Sequence, residues 1–86
     1  MSAERLETII PPFSFTLDGA LVTIYEIPKS ELISGDKWYH VYLDIEWRGK
    51  RSRRFTLDVK GWEDLLRKLL VEISKFKLMV LMGVEV

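Results

Sequence analysis

Lys37-Trp38-Tyr39-His40-Val41-Tyr42-Leu43-Asp44-Ile45-Glu46-Trp47-Arg48 decides the fold, because its two alternating faces differ in kind. Successive side chains of a strand point to opposite sides of the sheet. One side of this run carries Tyr39, Val41, Leu43, Ile45 and Trp47, which is a core face. The other carries Trp38, His40, Tyr42, Asp44, Glu46 and Arg48, aromatic at one end and charged at the other. A strand packed on one side only belongs to an antiparallel sheet with a single covered face.

Downstream of Gly49, Phe55, Leu57 and Val59 alternate with Arg54, Thr56 and Asp58. A two-residue turn at Arg48-Gly49 would set Leu43 opposite Arg54 and mix apolar with charged residues, whereas a three-residue loop sets Leu43 opposite Phe55 and Val41 opposite Leu57. The odd loop is therefore expected. It pairs Asp44 with Arg54 across the strands, worth about a few tenths of a kcal/mol. From Gly61 the period turns helical: Trp62, Leu65, Leu66, Leu69, Leu70, Ile73 and Phe76 form one stripe, with Glu63 and Asp64 in the first turn as the helix dipole favours.

Upstream, Phe13, Phe15 and Leu17 alternate with polar residues, Asp18-Gly19 signals a turn, and Ala20 to Ile27 reads as an interior strand ended by Pro28. Residues 28–36 read as a loop. Residues 1–12 allow one helical turn around Leu6 before Pro11-Pro12 stops it. The predicted fold is α+β: a four- to five-stranded antiparallel sheet with one long helix packed on its apolar face. One domain of residues 1–86 is expected, divided into an N-terminal extension (1–12), the sheet (13–60), the helix (61–77) and an apolar tail (78–86). The tail is read as a fifth strand in preference to a helical continuation, and as a surface for subunit contact.

The 86 residues are 48% hydrophobic and 30% charged, the balance of a folded chain. A core of this size rarely stabilises a fold by much alone, so a homodimer or homotetramer is expected. Cysteine is absent, which removes disulfides, thiol catalysis and cysteine-ligated metals. Asparagine and glutamine are absent too, a composition seen in hyperthermophile proteins, which points to a hot habitat. The longest apolar run, Leu78 to Met82, is too short to span a bilayer, so a cytoplasmic protein with no membrane partner is expected.

The thirteen basic and thirteen acidic side chains cancel, yet they are not evenly spread. Between Lys37 and Lys60 stand seven basic and three acidic residues, a local excess of four positive charges that the rest of the chain offsets. Arg48, Lys50, Arg51, Arg53 and Arg54 lie between Trp47 and Phe55 with no acid among them. Clustered cations bind phosphates through counterion release, and aromatic faces stack on unpaired bases. Trp38, His40, Tyr42 and Trp47 with those five cations are thus the candidate residues for binding single-stranded DNA or RNA. Nothing legible distinguishes the two nucleic acids.

Each feature also has a plainer reading. The basic run is a solvated hairpin tip guarding strand edges, and Trp38 and Tyr42 are covered by a second layer or a subunit. His40, the lone histidine, could stack, hydrogen-bond or serve nothing in particular, while Trp62 is core. Asp44 and Glu46 could hold Mg²⁺, but with five cations following they are more simply ion-paired. No phosphate-cradling glycine motif is present and no catalytic constellation is legible, so neither an enzyme nor a cofactor is expected.

Val41-Tyr42-Leu43-Asp44-Ile45, a basic turn, Phe55-Thr56-Leu57, then Trp62 and Leu65, resemble the single-stranded DNA-binding core of the positive cofactor four coactivator family over residues 37–73. The hyperthermophile-like composition also resembles that of the archaeal ThermoDBP and ThermoDBP-related single-stranded DNA-binding proteins. These resemblances imply a homo-oligomer that binds an unpaired strand with little sequence preference. Arg48, Lys50, Arg51, Arg53 and Arg54 would hold phosphates and Trp62 would pack in the core. The apolar tail after Lys77 departs from the coactivator pattern.

Overall fold

A computed structural model describes residues 10–84. The fold is α+β: a curled antiparallel sheet with one long C-terminal helix packed against it. The elements in order are β1 (Phe13–Leu17), β2 (Ala20–Glu26), β3 (Lys29–Glu31), β4 (Lys37–Trp47), β5 (Lys50–Arg51), β6 (Phe55–Val59) and α1 (Trp62–Leu81). β2 and β3 pair along one edge of β4, and β5 and β6 along the other. They are two broken strands, so the sheet is a meander four strands wide with β4 near its middle. The short β3 falls within the expected loop of residues 28–36, since Pro28 interrupts the pairing without ending it.

Asp18-Gly19 forms the expected first hairpin turn, with φ of 51° and 80°. Two successive positive φ values match the twist of the flanking strands, and glycine accepts the second at no steric cost. Arg48-Gly49 repeats this geometry, with φ of 53° and 77°, so the three-residue loop expected there is not found. Trp47 faces Lys50 and Glu46 faces Arg51 across a two-residue turn. One residue is then inserted: Leu43 faces Phe55 and Val41 faces Leu57, as expected. The backbone N–H of Ser52 donates to Ile45 O at 2.8 Å and Ser52 Oγ accepts from Ile45 N at 2.9 Å, so Arg53 and Arg54 together face Asp44. The odd count comes from a β-bulge instead of the loop.

The core lies between α1 and the inner sheet face. Ala20, Val22 and Ile24 of β2, Tyr39, Val41, Leu43 and Ile45 of β4, and Val59 of β6 meet Leu65, Leu69, Ile73 and Phe76 of α1. Trp62 packs against this cluster with its ring centroid 6.0 Å from that of Phe15, as the sequence suggests. Gly61 offers no side-chain cap, but the Asp64 carboxylate accepts the Lys60 N–H at 3.0 Å. Burial pushes the Asp64 pKa up, but that bond and the Lys68 and Arg67 cations outweigh it and hold the pKa below its ordinary 3.8.

The tail is helical to Leu81, not a strand, and the expected helix of residues 61–77 runs one turn longer. Gly83, at φ 77°, donates to Val80 O at 3.1 Å, and Val84 N donates to Met79 O at 2.9 Å. This is a glycine-terminated Schellman cap, so Gly83 marks a helix end. Lys77 ties that end to the first hairpin by donating to Asp18 O. The helical turn expected around Leu6 lies outside the described residues.

Candidate nucleic-acid interface on the outer sheet face

Asp44 is the centre of the outer face and the one charged residue among the buried ones described, with 3% of its surface exposed. Two bulges converge on it. On the β2 side the register slips between Ile24 and Glu26, making Tyr25 the extra residue. On the β6 side the extra residue falls at Arg53 and Arg54. Bulges redirect side chains, and here they turn Tyr25 and Arg54 toward one carboxylate. The Tyr25 hydroxyl donates to Asp44 Oδ2 at 2.6 Å, and the Arg54 guanidinium carbon lies 3.7 Å from the Tyr25 ring centroid. The hydrogen bond to Asp44 leads in pushing the Tyr25 pKa above 10, with desolvation adding to it.

The expected Asp44–Arg54 ion pair is not formed: Tyr25 stands between the two charges and takes both as partners. Beside it, Arg51 donates to Glu46 Oε1 at 2.9 Å, and that bond leads in raising the arginine's pKa. Asp44 and Glu46 are thus both occupied by neighbours.

The nine candidate residues do not share one surface. Tyr42 is exposed on the outer face, at 42%. Trp38 is half-buried, with Lys60 and Lys68 ammonium groups 5.1 and 5.8 Å from its ring centroid. His40 is held between Ser30 Oγ at 2.9 Å and Asp58 Oδ1 at 2.7 Å. Trp47 belongs to the inner face, packed against the core and flanked by Arg48 at 4.4 Å and Lys77 at 5.3 Å. Arg48 and Lys50 stand exposed at the hairpin tip. Arg53 lines a cavity of about 390 Å³ between the bulge and α1, floored by Ile45, Phe55 and Phe76. The cations therefore surround the hairpin instead of lining one groove.

Of the five hairpin cations only Arg51 is ion-paired among the described residues; Arg48, Lys50, Arg53 and Arg54 have no acidic partner there. Tyr25, Lys60 and Lys68 join the surface although their sequence positions do not announce it. Tyr25 sits in a run that reads as apolar on both faces, and only the bulge brings its hydroxyl to Asp44. Lys68 approaches Trp38 while its ammonium binds Asp58 O on the outermost strand, β6. No helix among the described residues is long and apolar enough to cross a membrane.

Fold and surface together define a small α+β domain with an aromatic and cationic outer sheet face. No protein-family model, curated protein or solved structure matches the chain.

Proposed function

We propose that the outer sheet face and its hairpin bind single-stranded nucleic acid with little base preference. The observation that carries this reading is the pairing pattern: four of the five hairpin cations lack an acidic partner among the described residues, while the acids beside them are occupied. Guanidinium groups without acidic partners and the exposed Tyr42 ring supply the two parts of single-strand binding, phosphate contacts and a stacking surface. Arg54 is held in place on Tyr25, so less of its side-chain freedom is lost on contact. The resemblance to the positive cofactor four core points the same way.

Fluorescence anisotropy with labelled oligonucleotides at rising salt tests the reading. Each phosphate contact to a single strand contributes about −0.7 to the slope of log K against log salt. Three or four contacts give a slope near −2 to −3. Absent or salt-insensitive binding overturns the proposal.

A second reading, assembly through protein contacts, rests on α1. Leu70, Val71, Leu78, Leu81 and Met82 are between 44% and 67% exposed. A contiguous apolar surface beyond a few hundred Å² marks a contact site in most soluble proteins. We take it as the homo-oligomer contact of the same nucleic-acid-binding protein. Sedimentation with and without oligonucleotide separates assembly alone from assembly plus binding.

A further inference from the structure

Three outer-face side chains form a constellation that strand binding does not require. Ser30 of β3, His40 of β4 and Asp58 of β6 sit on adjacent strands, with Asp58 directly opposite His40. Asp58 Oδ1 lies 2.7 Å from His40 Nδ1, and Ser30 Oγ lies 2.9 Å from His40 Nε2. A carboxylate accepts only, so Nδ1 carries the proton and donates it to Asp58. That tautomer leaves Nε2 as an acceptor, and the Ser30 hydroxyl donates to it. Nucleophile, base and orienting carboxylate stand in the sequence that activates a serine, each on the nitrogen the chemistry needs.

We propose that Ser30 is an activated nucleophile that accepts acyl groups from small aryl esters, with His40 as its base and Asp58 as the positioning residue. The substrate class follows from the surroundings. Ser30 is half-buried and the His40 and Asp58 side chains are 34% and 62% exposed, so the constellation lies open to solvent. Trp38 faces Ser30 across the strands, so an indole ring adjoins the serine. An aryl group gains by stacking there.

In the first step Ser30 Oγ bonds to the ester carbonyl carbon and its proton passes to His40 Nε2. The carbon–oxygen bond to the aryloxide breaks, and the aryloxide takes that proton. Water then adds to the acyl carbon while giving a proton to Nε2. Ser30 Oγ departs and recovers the proton, so one ester and one water become one acid and one phenol. The open setting predicts slow deacylation, which makes the acyl-serine the species to detect.

The test is incubation of the full chain with p-nitrophenyl acetate, following nitrophenolate release, intact mass and the mapped position of the acetyl group. The expected result is a single acetyl on Ser30 with a burst that Ser30→Ala removes. A positioned general base contributes about 10²–10⁴-fold, so His40→Gln lowers the rate at Ser30 by about 100-fold or more. Asp58→Asn lowers it by about tenfold or more, and Asp58→Glu restores part of the loss. Circular dichroism confirms that each variant is folded. Acetyl groups only on lysines or the chain terminus, a burst unchanged in Ser30→Ala, or a Ser30 rate unchanged in His40→Gln overturns the proposal. The assay contains no oligonucleotide, so its outcome is independent of strand binding.

Discussion

The two faces of β4 are built from alternating residues of one strand, yet they obey different physics. On the inner face Val41, Leu43 and Ile45 are buried by α1 through shape and apolar area alone. On the outer face Asp44 is equally hidden, but by hydrogen bonding and charge, between Tyr25 and the hairpin cations. The inner face tolerates any good apolar fit, whereas the outer one depends on where two bulges aim particular groups. Stability therefore lies mainly on one side of the strand and specificity on the other.

Leu43→Ala strikes the inner face hardest. Loss of a fully buried leucine costs about 2–5 kcal/mol, read by chemical denaturation, with strand affinity per folded molecule unchanged. Tyr42→Ala is the reciprocal experiment: about 1–3 kcal/mol of oligonucleotide affinity is lost while the melting temperature holds. If Tyr42→Ala instead destabilises the fold, the division between the faces fails.

Smaller effects sharpen the outer face through pH. The Tyr25 pKa is raised in the folded state, so the stability from its bond to Asp44 is complete below pH 10 and is lost as pH rises through the folded value. Spectrophotometric titration should show Tyr25 ionising above pH 10, and Asp44→Asn should bring it back toward 10. Asp64 works in the opposite sense. Its depressed pKa gives a contribution present above about pH 4 that disappears as pH falls through the folded value, and Asp64→Asn should flatten that acid limb of the melting curve.

The inner face was legible because alternation reports burial directly: the β4 faces, the pairing of Leu43 with Phe55, and the α1 stripe all follow from period alone. The turn at Arg48-Gly49 misled because the same register arises from a longer loop or from a tight turn plus a bulge, and counting cannot separate them. Gly83 after an apolar run fits a strand end as well as a helix cap; the positive φ decides. On the outer face, the register that pairs Leu43 with Phe55 already sets Asp58 opposite His40. Ser30 was hidden because β3 resumes pairing beyond Pro28, and Tyr25 because a bulge leaves no mark in hydrophobic periodicity. Trp47 followed the parity of its strand and went inward, which separates it from Trp38 and Tyr42.

α1 is the cover of the whole inner face, and it comes after every strand. Its Lys77 reaches back to Asp18 across 59 positions. At about 5–20 residues per second, a ribosome needs roughly 1–4 s to add the twenty residues of α1. Until α1 is made and docked, Val22, Ile24, Val41, Leu43 and Ile45 have nothing over them. A chain cut short before α1 would leave that apolar face bare.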